Sequence, residues 1–247
     1  MKLLLLGGTS EARALAKRLH PDVDLISSLA GRVPDPALPV GPVRIGGFGG
    51  VGGLRKYLQD NNITAVVDAT HPFAANITAN AAQACSDAAV AHLVLARPAW
   101  PHGDAIVVTD DKQAAQTVED KGCQRVFLTT GRSGTAAFKN SDAWFLIRAV
   151  TAPDAETLPP NHEILLSRGP YDYDGELALL TEHQIDALVT KNSGGAMTRA
   201  KIDAAGRLGV PVIMVDRPPL PAGVTTVSTV DEAAEFVMSA RADITYR

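Results

Sequence analysis

Cysteine is scarce in this chain: its 247 residues include only two, Cys85 and Cys123, far apart in the sequence. Neither lies in a C-x-x-C pair or near a group of histidines, so the patterns typical of a zinc site or a disulfide framework are missing. We interpret both cysteines as buried thiols of a protein in a reducing compartment. No bound metal is expected.

Runs of like charge and long apolar segments are missing as well. The formal net charge is −4, with both signs interspersed, which argues against nucleic acid and anionic membrane surfaces as partners. Before the first glycine the chain carries one lysine and five apolar residues, too few for a signal peptide. We therefore expect a cytoplasmic location, with no nucleic-acid or membrane partner.

Several catalytic motifs are also missing. The sequence contains no H-E-x-x-H, no Walker A turn and no G-x-S-x-G elbow, so metal-assisted hydrolysis, P-loop phosphoryl transfer and α/β-hydrolase chemistry lose their usual support. No tyrosine has a lysine four residues later, the pair expected of a short-chain dehydrogenase. If this chain transfers hydride, the acceptor must need little help from a tyrosine acid, as an iminium-like conjugated carbon would.

The first nineteen residues, MKLLLLGGTSEARALAKRL, predict a strand, a glycine turn and a helix. An unbroken apolar run such as LLLL is typical of a strand buried on both faces. The N–H groups at the start of the following helix favour phosphate binding. Only the front glycines of G-x-G-x-x-G are present, so a purely structural turn stays open as an alternative. The candidate cofactor residues here are Gly7, Gly8, Thr9, Ser10 and Glu11.

The second predicted strand, residues 23–29, ends in small hydroxyl residues, and an arginine follows it. In dinucleotide-binding folds an acidic residue at this position selects NAD, whereas Ser28 and Arg32 favour the 2′-phosphate of NADP(H), because guanidinium and hydroxyl groups bind phosphate oxygens. Arg32 as a solvated loop residue is the open alternative. Gly47, in the segment GGFGG, is a candidate for close backbone approach beside the cofactor.

Asp68, Thr70 and His71 follow the fourth predicted strand, residues 63–67. Ligands of open parallel sheets bind beyond the carboxyl ends of the strands, so position makes these side chains site candidates. The alternative is that Asp68 or Thr70 caps the next helix. Arg13 is a further candidate, because a cation in the first turns of a helix opposes the helix dipole unless an anion lies nearby. A surface ion pair is the alternative for Arg13.

Three turns rich in small, hydroxyl and basic residues follow strands of the second half, at 129–134, 167–170 and 191–195. Each has backbone N–H groups and a cation suited to a carboxylate or phosphate, although one such turn alone is more often a plain βα connection. Together they predict a ligand with several negative charges. Its candidate residues are Thr130, Gly131, Arg132, Ser133, Lys191, Ser193 and, farther along, Lys201.

Alternating strands and helices predict two Rossmann-like α/β domains with parallel sheets and a cleft between them. The segment RPAWP at 97–101 is a stiff connection, because proline fits neither a helix interior nor a central strand. We therefore predict domains at residues 1–100 and 101–247.

Several segments together resemble the precorrin-6A reductases of cobalamin biosynthesis, and the resemblance spans nearly the whole chain. It implies NADPH-dependent reduction of precorrin-6A to precorrin-6B, with NADP(H) in residues 1–100 and the macrocycle, which carries acetate and propionate groups, in residues 101–247. The segments are LLLLGGTSEARALA at the amino terminus, GGFGG at 46–50, DATHPFAANITANA at 68–81, KNSGG with Lys201, and LGVPVIMVDRP at 208–218.

Under this resemblance the nicotinamide is expected near residues 68–71, with Arg13, Asp68 and His71 as catalytic candidates and Lys191 and Lys201 as partners of substrate carboxylates. The family includes the cobalt-precorrin-6A reductases, so the presence of cobalt in the substrate stays open. Two alternatives also stay open: an NADP(H)-dependent reductase of another conjugated substrate, and a non-enzymatic NADP-binding sensor. Transient contacts with neighbouring pathway enzymes are a further expectation.

Overall fold

The computed structural model describes residues 1–31 and 36–245, with side chains as far as residue 240. It divides into two compact units, Met1–Pro98 with Pro218–Arg247, and Ala99–Arg217. Within the described ranges no helix is both long and apolar enough to cross a membrane. The strands and α-helices in chain order are β1 (Lys2–Leu6), α1 (Ser10–Leu19), β2 (Asp24–Leu29), β3 (Val43–Ile45), α2 (Gly50–Asp60), β4 (Ala65–Asp68), α3 (Ala75–Ala88), β5 (Ala91–Leu95), β6 (Ile106–Val108), α4 (Asp111–Asp120), β7 (Arg125–Leu128), β8 (Trp144–Ala149), β9 (His162–Leu166), α5 (Tyr173–Glu182), β10 (Ala187–Lys191), α6 (Ala200–Leu208), β11 (Val212–Val215), β12 (Thr225–Val227) and α7 (Val230–Thr245).

The first unit is a six-stranded parallel sheet in the order β12-β5-β4-β1-β2-β3, with helices on both faces. Alternate residues of β1 enter different cores. Leu3 and Leu5 pack with α1 and α7 on one face, whereas Leu4 and Leu6 pack with α2 and α3 on the other. The apolar run in β1 is therefore explained by burial on both faces, as predicted.

The second unit is another six-stranded parallel sheet, in the order β6-β11-β10-β7-β8-β9. One face buries Phe127, Leu188 and Met214 against α5 and α6. Two fully buried rings, Phe145 of β8 and Phe138 of a 3-10 helix at Arg132–Phe138, meet edge to face with their centres 5.4 Å apart. The predicted fold class, two parallel-sheet α/β domains, is confirmed.

The end of the chain, Pro218–Arg247, returns to the first unit. The predicted second domain, 101–247, therefore extends too far. Strand β12 pairs with β5, with Thr225 opposite Leu93, and α7 buries Ala233 and Val237 in the core around β1. The apolar face of α7 thus completes the first core. Strands β6 and β12, three residues each, were not predicted.

Each sheet has one topological switch point. In the first unit the chain runs outward from β1 through β2 to β3, then restarts beside β1 with β4. In the second unit β7 and β10 hold the corresponding positions. Ligands of doubly wound sheets bind where the strand order reverses, beyond the carboxyl ends of the strands. The turns after β1, β4, β7 and β10 are therefore the structural candidates for binding sites.

Candidate functional site

Gly7 and Gly8 form the turn between β1 and α1, and their surroundings differ. The Gly7 N–H donates to the Ser28 carbonyl oxygen over 2.9 Å, and a Cβ on Gly7 would lie 3.4 Å from the Cβ of Ala12. Gly8 has a φ of +116°, and a Cβ there would meet nothing within 4 Å. The turn needs glycine at position 8 for its backbone conformation, while the space beside it is open to a ligand.

Thr9 closes the start of α1 and links it to the end of β4. Its Oγ1 accepts from the Ala12 N–H over 3.1 Å and donates to the Ala69 carbonyl oxygen over 2.7 Å. Thr9 is thus the N-cap of α1. The bond to Ala69 holds together the turn after β1 and the loop after β4, the two sides of the switch point.

Glu11 forms an ion pair that the sequence analysis missed. Its carboxylate accepts from the Ser10 hydroxyl over 3.0 Å and from Arg97 Nη1 over 2.8 Å. Burial by itself would raise the pKa of Glu11, but a backbone hydrogen bond and the positive charge of Arg97 outweigh it, and the net pKa is lowered. Glu11 is therefore ionised at neutral pH, with its charge compensated within the unit. The sequence did offer a signal for this ion pair: Arg97 follows the end of β5, and the carboxyl ends of parallel strands lie at the same edge of the sheet.

Arg13 lies half-buried near the start of α1. Within the described residues it takes part in neither ion pair of this unit, Arg97–Glu11 or Lys56–Asp60. A cation at this end of a helix is unfavourable unless an anion neutralises it. The role of Arg13 toward a bound anion stays a prediction.

Ser28, at the end of β2, lies beside an arginine that was not predicted, Arg44 of β3. Arg44 Nη1 donates to Ser28 Oγ over 2.8 Å and to the Gly46 carbonyl oxygen over 2.9 Å, and Nη2 donates to the Gly47 carbonyl oxygen over 3.1 Å. Gly47 thus contributes its carbonyl group to the site edge. The arginine that was predicted, Arg32, lies outside the described residues.

Asp68 shapes the loop after β4 from inside the protein. Its side chain is 1% exposed, and Oδ1 accepts from the N–H and the hydroxyl of Thr70 over 2.9 and 2.6 Å. Oδ2 is buried with no hydrogen-bond partner among the described residues. Neither Asp68 nor Thr70 caps α3, which follows Ala74 without a side-chain cap. Asp68 therefore positions the loop, and the Thr70 hydroxyl donates its hydrogen bond to Asp68.

His71 is the exposed titratable side chain of this loop. Its Nδ1 accepts from the Phe73 N–H over 3.3 Å, and the two rings lie 5.8 Å apart. Acceptance at Nδ1 assigns the proton of the neutral ring to Nε2. Of the three predicted catalytic side chains, His71 is the one that is exposed.

The charge of Asp68 affects the pKa values of two nearby residues, Cys85 and His92. Burial, and secondly the charge of Asp68, raise the pKa of the Cys85 thiol to about 12. Burial lowers the pKa of His92, and Asp68 partly opposes that change. Cys85 is an unreactive buried thiol, as predicted, whereas Cys123 is only partly buried. Among the described residues no three or more His, Cys, Asp or Glu side chains are grouped to hold a metal.

In the second unit, Thr130 and Gly131 shape the turn after β7. Gly131 has a φ of +78°, and Thr130 is buried, with its Oγ1 lacking a partner among the described residues. That oxygen sits against Gly134, where a Cβ would collide with it. The turn is packed against itself, and Arg132 and Ser133 at its rim are exposed.

Lys191, at the end of β10, reaches across to that turn. Its Nζ donates to the Thr130 carbonyl oxygen over 3.0 Å and pairs with Asp111 Oδ2 over 3.3 Å. The structure thus brings together two of the predicted turns. It also reveals a carboxylate that compensates Lys191, which the sequence analysis missed. Ser193 follows in the same loop, where its carbonyl oxygen accepts from Arg217 Nη2 over 3.1 Å.

Lys201, on α6, is buried at 6% exposure. Its Nζ donates to the Thr198 carbonyl oxygen over 2.9 Å and lies 5.3 Å from the centre of the Trp100 ring. Burial first, and then the charge of Arg148, lower the pKa of Lys201 to about 7, although Glu176 acts in the opposite direction. Lys201 is therefore poised between its charged and neutral forms at neutral pH.

Arg148 and Glu176 form a buried pair that was not predicted. Two hydrogen bonds join them, from Nη1 over 3.0 Å and from Nη2 over 2.7 Å. The guanidinium also stacks on the Tyr171 ring at 4.0 Å, and the Tyr171 hydroxyl lies 3.1 Å from Ser167 Oγ. This pair ties β8 and α5 to the turn at 167–170.

Comparison with known proteins connects this geometry to one enzyme family. Residues 2–238 match the family model described as "Precorrin-6x reductase CbiJ/CobK". A precorrin-6A reductase of Mycobacterium tuberculosis is 65% identical over 236 residues, covering 96% of this chain and 97% of that protein. A precorrin-6A reductase of Rhodococcus erythropolis is 52% identical over 246 residues, with 96% and 97% covered.

Among solved structures, one described as "CobK precorrin-6A reductase" superimposes with a TM-score of 0.89. It is 37% identical in sequence, and the match covers 97% of each chain.

Proposed function

Because the chain belongs to the precorrin-6x reductase family and is a reductase of cobalamin biosynthesis, we propose that it reduces precorrin-6A to precorrin-6B with NADPH as the hydride donor. One observation carries the proposal: the first unit has the strand order of a dinucleotide-binding sheet, with an open glycine turn at its switch point. The substrate is proposed from the names of relatives that match this chain over nearly their full length.

The residues at the first switch point fit a dinucleotide phosphate. The N–H groups at the start of α1 follow the open turn at Gly8, and such groups bind pyrophosphate. Arg13 adds a positive charge near the same helix start. Ser28 stands at the end of β2, where a carboxylate would repel a 2′-phosphate. Together with the predicted contribution of Arg32, these groups favour NADPH over NADH.

Reduction of the macrocycle takes up one hydride and one proton. When bound, NADPH supplies the hydride. The chain must orient the reactants, exclude water and deliver the proton. His71, whose ring is exposed, is the proposed proton donor: it acts as the imidazolium and is left as the neutral imidazole when it gives up its proton. Asp68 holds the loop that carries His71, so we assign it a positioning role.

The second unit is proposed to bind the acetate and propionate groups of the substrate. Exposed Arg132 and Ser133 lie at the rim of the turn after β7, and Lys191 and Ser193 lie at the end of β10. Backbone N–H groups and cations in such turns bind carboxylates. Lys201 is kept as a proposed partner of a substrate carboxylate, although its side chain is buried at 6% exposure.

The test is a titration of the purified protein with NADPH and with NADH, followed by nucleotide fluorescence, with and without precorrin-6A. We expect NADPH to bind at least about tenfold more tightly than NADH, since hydrogen bonds to a charged group contribute about 1.5–3 kcal/mol each. Arg32→Ala is expected to reduce this preference. NADPH oxidation on adding precorrin-6A under anaerobic conditions is the accompanying activity measurement.

Two outcomes would contradict the proposal. If neither nucleotide binds at micromolar concentration even with precorrin-6A present, the glycine turn is structural. If NADPH binds but no tetrapyrrole is reduced, the chain is an NADP-binding sensor. Turnover of a different conjugated compound would instead support the second reductase alternative.

A further inference from the structure

Arg44 lies at the carboxyl edge of the first sheet, directly beside Ser28. The two residues are opposite one another in the register of the parallel pair β2 and β3. Ser28 is the residue at the position where dinucleotide-binding folds meet the adenosine ribose. A side chain bonded to Ser28 is therefore placed to contact whatever the ribose carries.

The Arg44 guanidinium is held in one orientation before any ligand binds. Three hydrogen bonds fix it, to Ser28 Oγ and to the carbonyl oxygens of Gly46 and Gly47. Its carbon Cζ lies 3.9 Å from the centre of the Phe48 ring and 5.1 Å from that of Tyr57. The two rings pack edge to face, with their centres 5.2 Å apart. Such preorganisation lowers the entropy lost on binding.

The charge of Arg44 is not balanced by the groups that hold it. All three hydrogen-bond acceptors are neutral oxygens, and no carboxylate pairs with Arg44 in the described part of the chain. The three bonds use at most three of the five guanidinium N–H groups. Because Ser28 Oγ accepts from Arg44, the Ser28 hydroxyl proton is available for an anion. A partly buried cation with spare donors is matched by a dianion.

We infer that Arg44 is the residue by which the first unit selects a 2′-phosphorylated nucleotide, recognising the 2′-phosphate together with the Ser28 hydroxyl. This inference rests on the proposed function, in which NADPH binds at the first switch point. It adds a specificity residue on β3 to the predicted Arg32. An unphosphorylated ribose offers no charge to Arg44, so NADH gains nothing from this residue.

The test measures dissociation constants for NADPH, NADH and adenosine 2′-monophosphate in Arg44→Ala and Arg44→Gln. The matched control is Arg55→Ala, which removes the same charge from an exposed position of α2 in the same unit. Both Arg44 variants are expected to weaken NADPH and adenosine 2′-monophosphate by about 10- to 100-fold, because a charge-assisted hydrogen bond to phosphate is lost. NADH binding should change by less than about threefold, and Arg55→Ala should change none of the three constants.

The outcomes separate this inference from the proposed function. If wild type prefers NADPH and both Arg44 variants keep that preference, the inference is overturned and the proposed function stands. A preference lost in Arg32→Ala alone leads to the same conclusion. If wild type shows no preference, the proposal of NADPH itself fails. Should Arg44→Ala misfold, the more conservative Arg44→Gln decides, since it retains a donor for Ser28; equal losses for NADPH and NADH in this variant would mean that Arg44 is structural.

Discussion

The two switch points of this molecule have the same strand order but differ in how their charges are balanced. At the first, Gly8 is open on its ligand side, and Arg44 is bonded only to neutral oxygens. At the second, Lys191 pairs with Asp111, and Gly134 is packed against the Thr130 side chain. The first switch point also holds an internal pair, Glu11 with Arg97, but Arg44 has no carboxylate partner there among the described residues, as the proposed phosphate site requires. At the second, Lys191 is neutralised by Asp111. The sheet supplies the position and the loops supply the chemistry.

The difference is sharpest in the buried groups. The first unit has no counterpart, among its described residues, of the buried arginine–glutamate pair Arg148–Glu176, whose side chains are 6% and 3% exposed. Close beside that pair, Lys201 is buried and donates to a backbone carbonyl oxygen rather than to a carboxylate. The second unit therefore carries most of the internal electrostatic constraint. Variants that remove or add a charge in either unit test this contrast.

The largest effect is expected from breaking the buried pair in the second unit. Arg148→Met leaves Glu176 charged, buried and without its two hydrogen bonds. We expect a loss of about 3–5 kcal/mol in unfolding free energy, measured by urea denaturation. The double variant Arg148→Met/Glu176→Leu should recover most of the lost unfolding free energy. Equal destabilisation of the single and double variants would show that packing, not the unpaired charge, is responsible.

A charge placed at the open glycine should abolish nucleotide binding. Gly8→Asp puts a carboxylate where a pyrophosphate is proposed, at a φ of +116° that strains any side chain. We expect NADPH affinity to fall by more than about 100-fold, which corresponds to about 2.7 kcal/mol. Gly8→Asn is the isosteric control and should retain much more of the affinity. Similar losses in both variants would point to steric or backbone effects instead.

Removal of the buried lysine should stabilise the protein in a pH-dependent way. The pKa of Lys201 is lowered to about 7, mainly by burial, whereas an unfolded lysine titrates near 10.5. Between these pH values the unfolded chain binds more protons than the folded one, so the lysine's contribution to stability rises with pH and is least favourable below about pH 7.

Lys201→Met lacks this titration, and its melting temperature at pH 7 should exceed that of wild type by about 4–8 °C, or about 2 kcal/mol. The advantage should shrink toward pH 10. An exposed control, Lys112→Met, should show no such trend. A constant difference across the pH range would contradict the assigned titration.

The smallest expected effect concerns the link across the first switch point. Thr9→Ala removes the N-cap bond to Ala12 and the bond to the Ala69 carbonyl oxygen. We expect a loss of about 1–2 kcal/mol in unfolding free energy. Thr9→Ser keeps both bonds and should behave as wild type. A Thr9→Ser variant as unstable as Thr9→Ala would assign the effect to the lost methyl group.

Local patterns were enough to predict the fold class and the strand, glycine turn and helix at the start of the chain. The apolar run of β1, the turn at Gly8 and the helix cap at Thr9 all depend on neighbouring residues. The domain division was predicted less well, because the return of the chain to the first unit depends on β12, which was missed, as was β6 in the second unit. Each has only three residues, and neither reveals its partner strand in its own composition.

The missed site residues share one property: each acts through a partner distant in sequence. Arg97 bonds to Glu11, 86 residues away, and Arg148 to Glu176, 28 residues away. Arg44 lies 16 residues from Ser28, but the register of β2 and β3 had to be known before the two could be paired. The burial of Lys201 likewise follows from packing between α6 and Trp100.

The central claim is that this chain transfers a hydride from NADPH to precorrin-6A, and isotope transfer tests it most directly. NADPH deuterated at C4, prepared separately on each face, is incubated anaerobically with the protein and precorrin-6A, and the tetrapyrrole is analysed by mass spectrometry. We predict one deuterium in the product with one of the two deuterated forms and none with the other. A reduced product without deuterium from either form, or no reduced product at all, would contradict this claim.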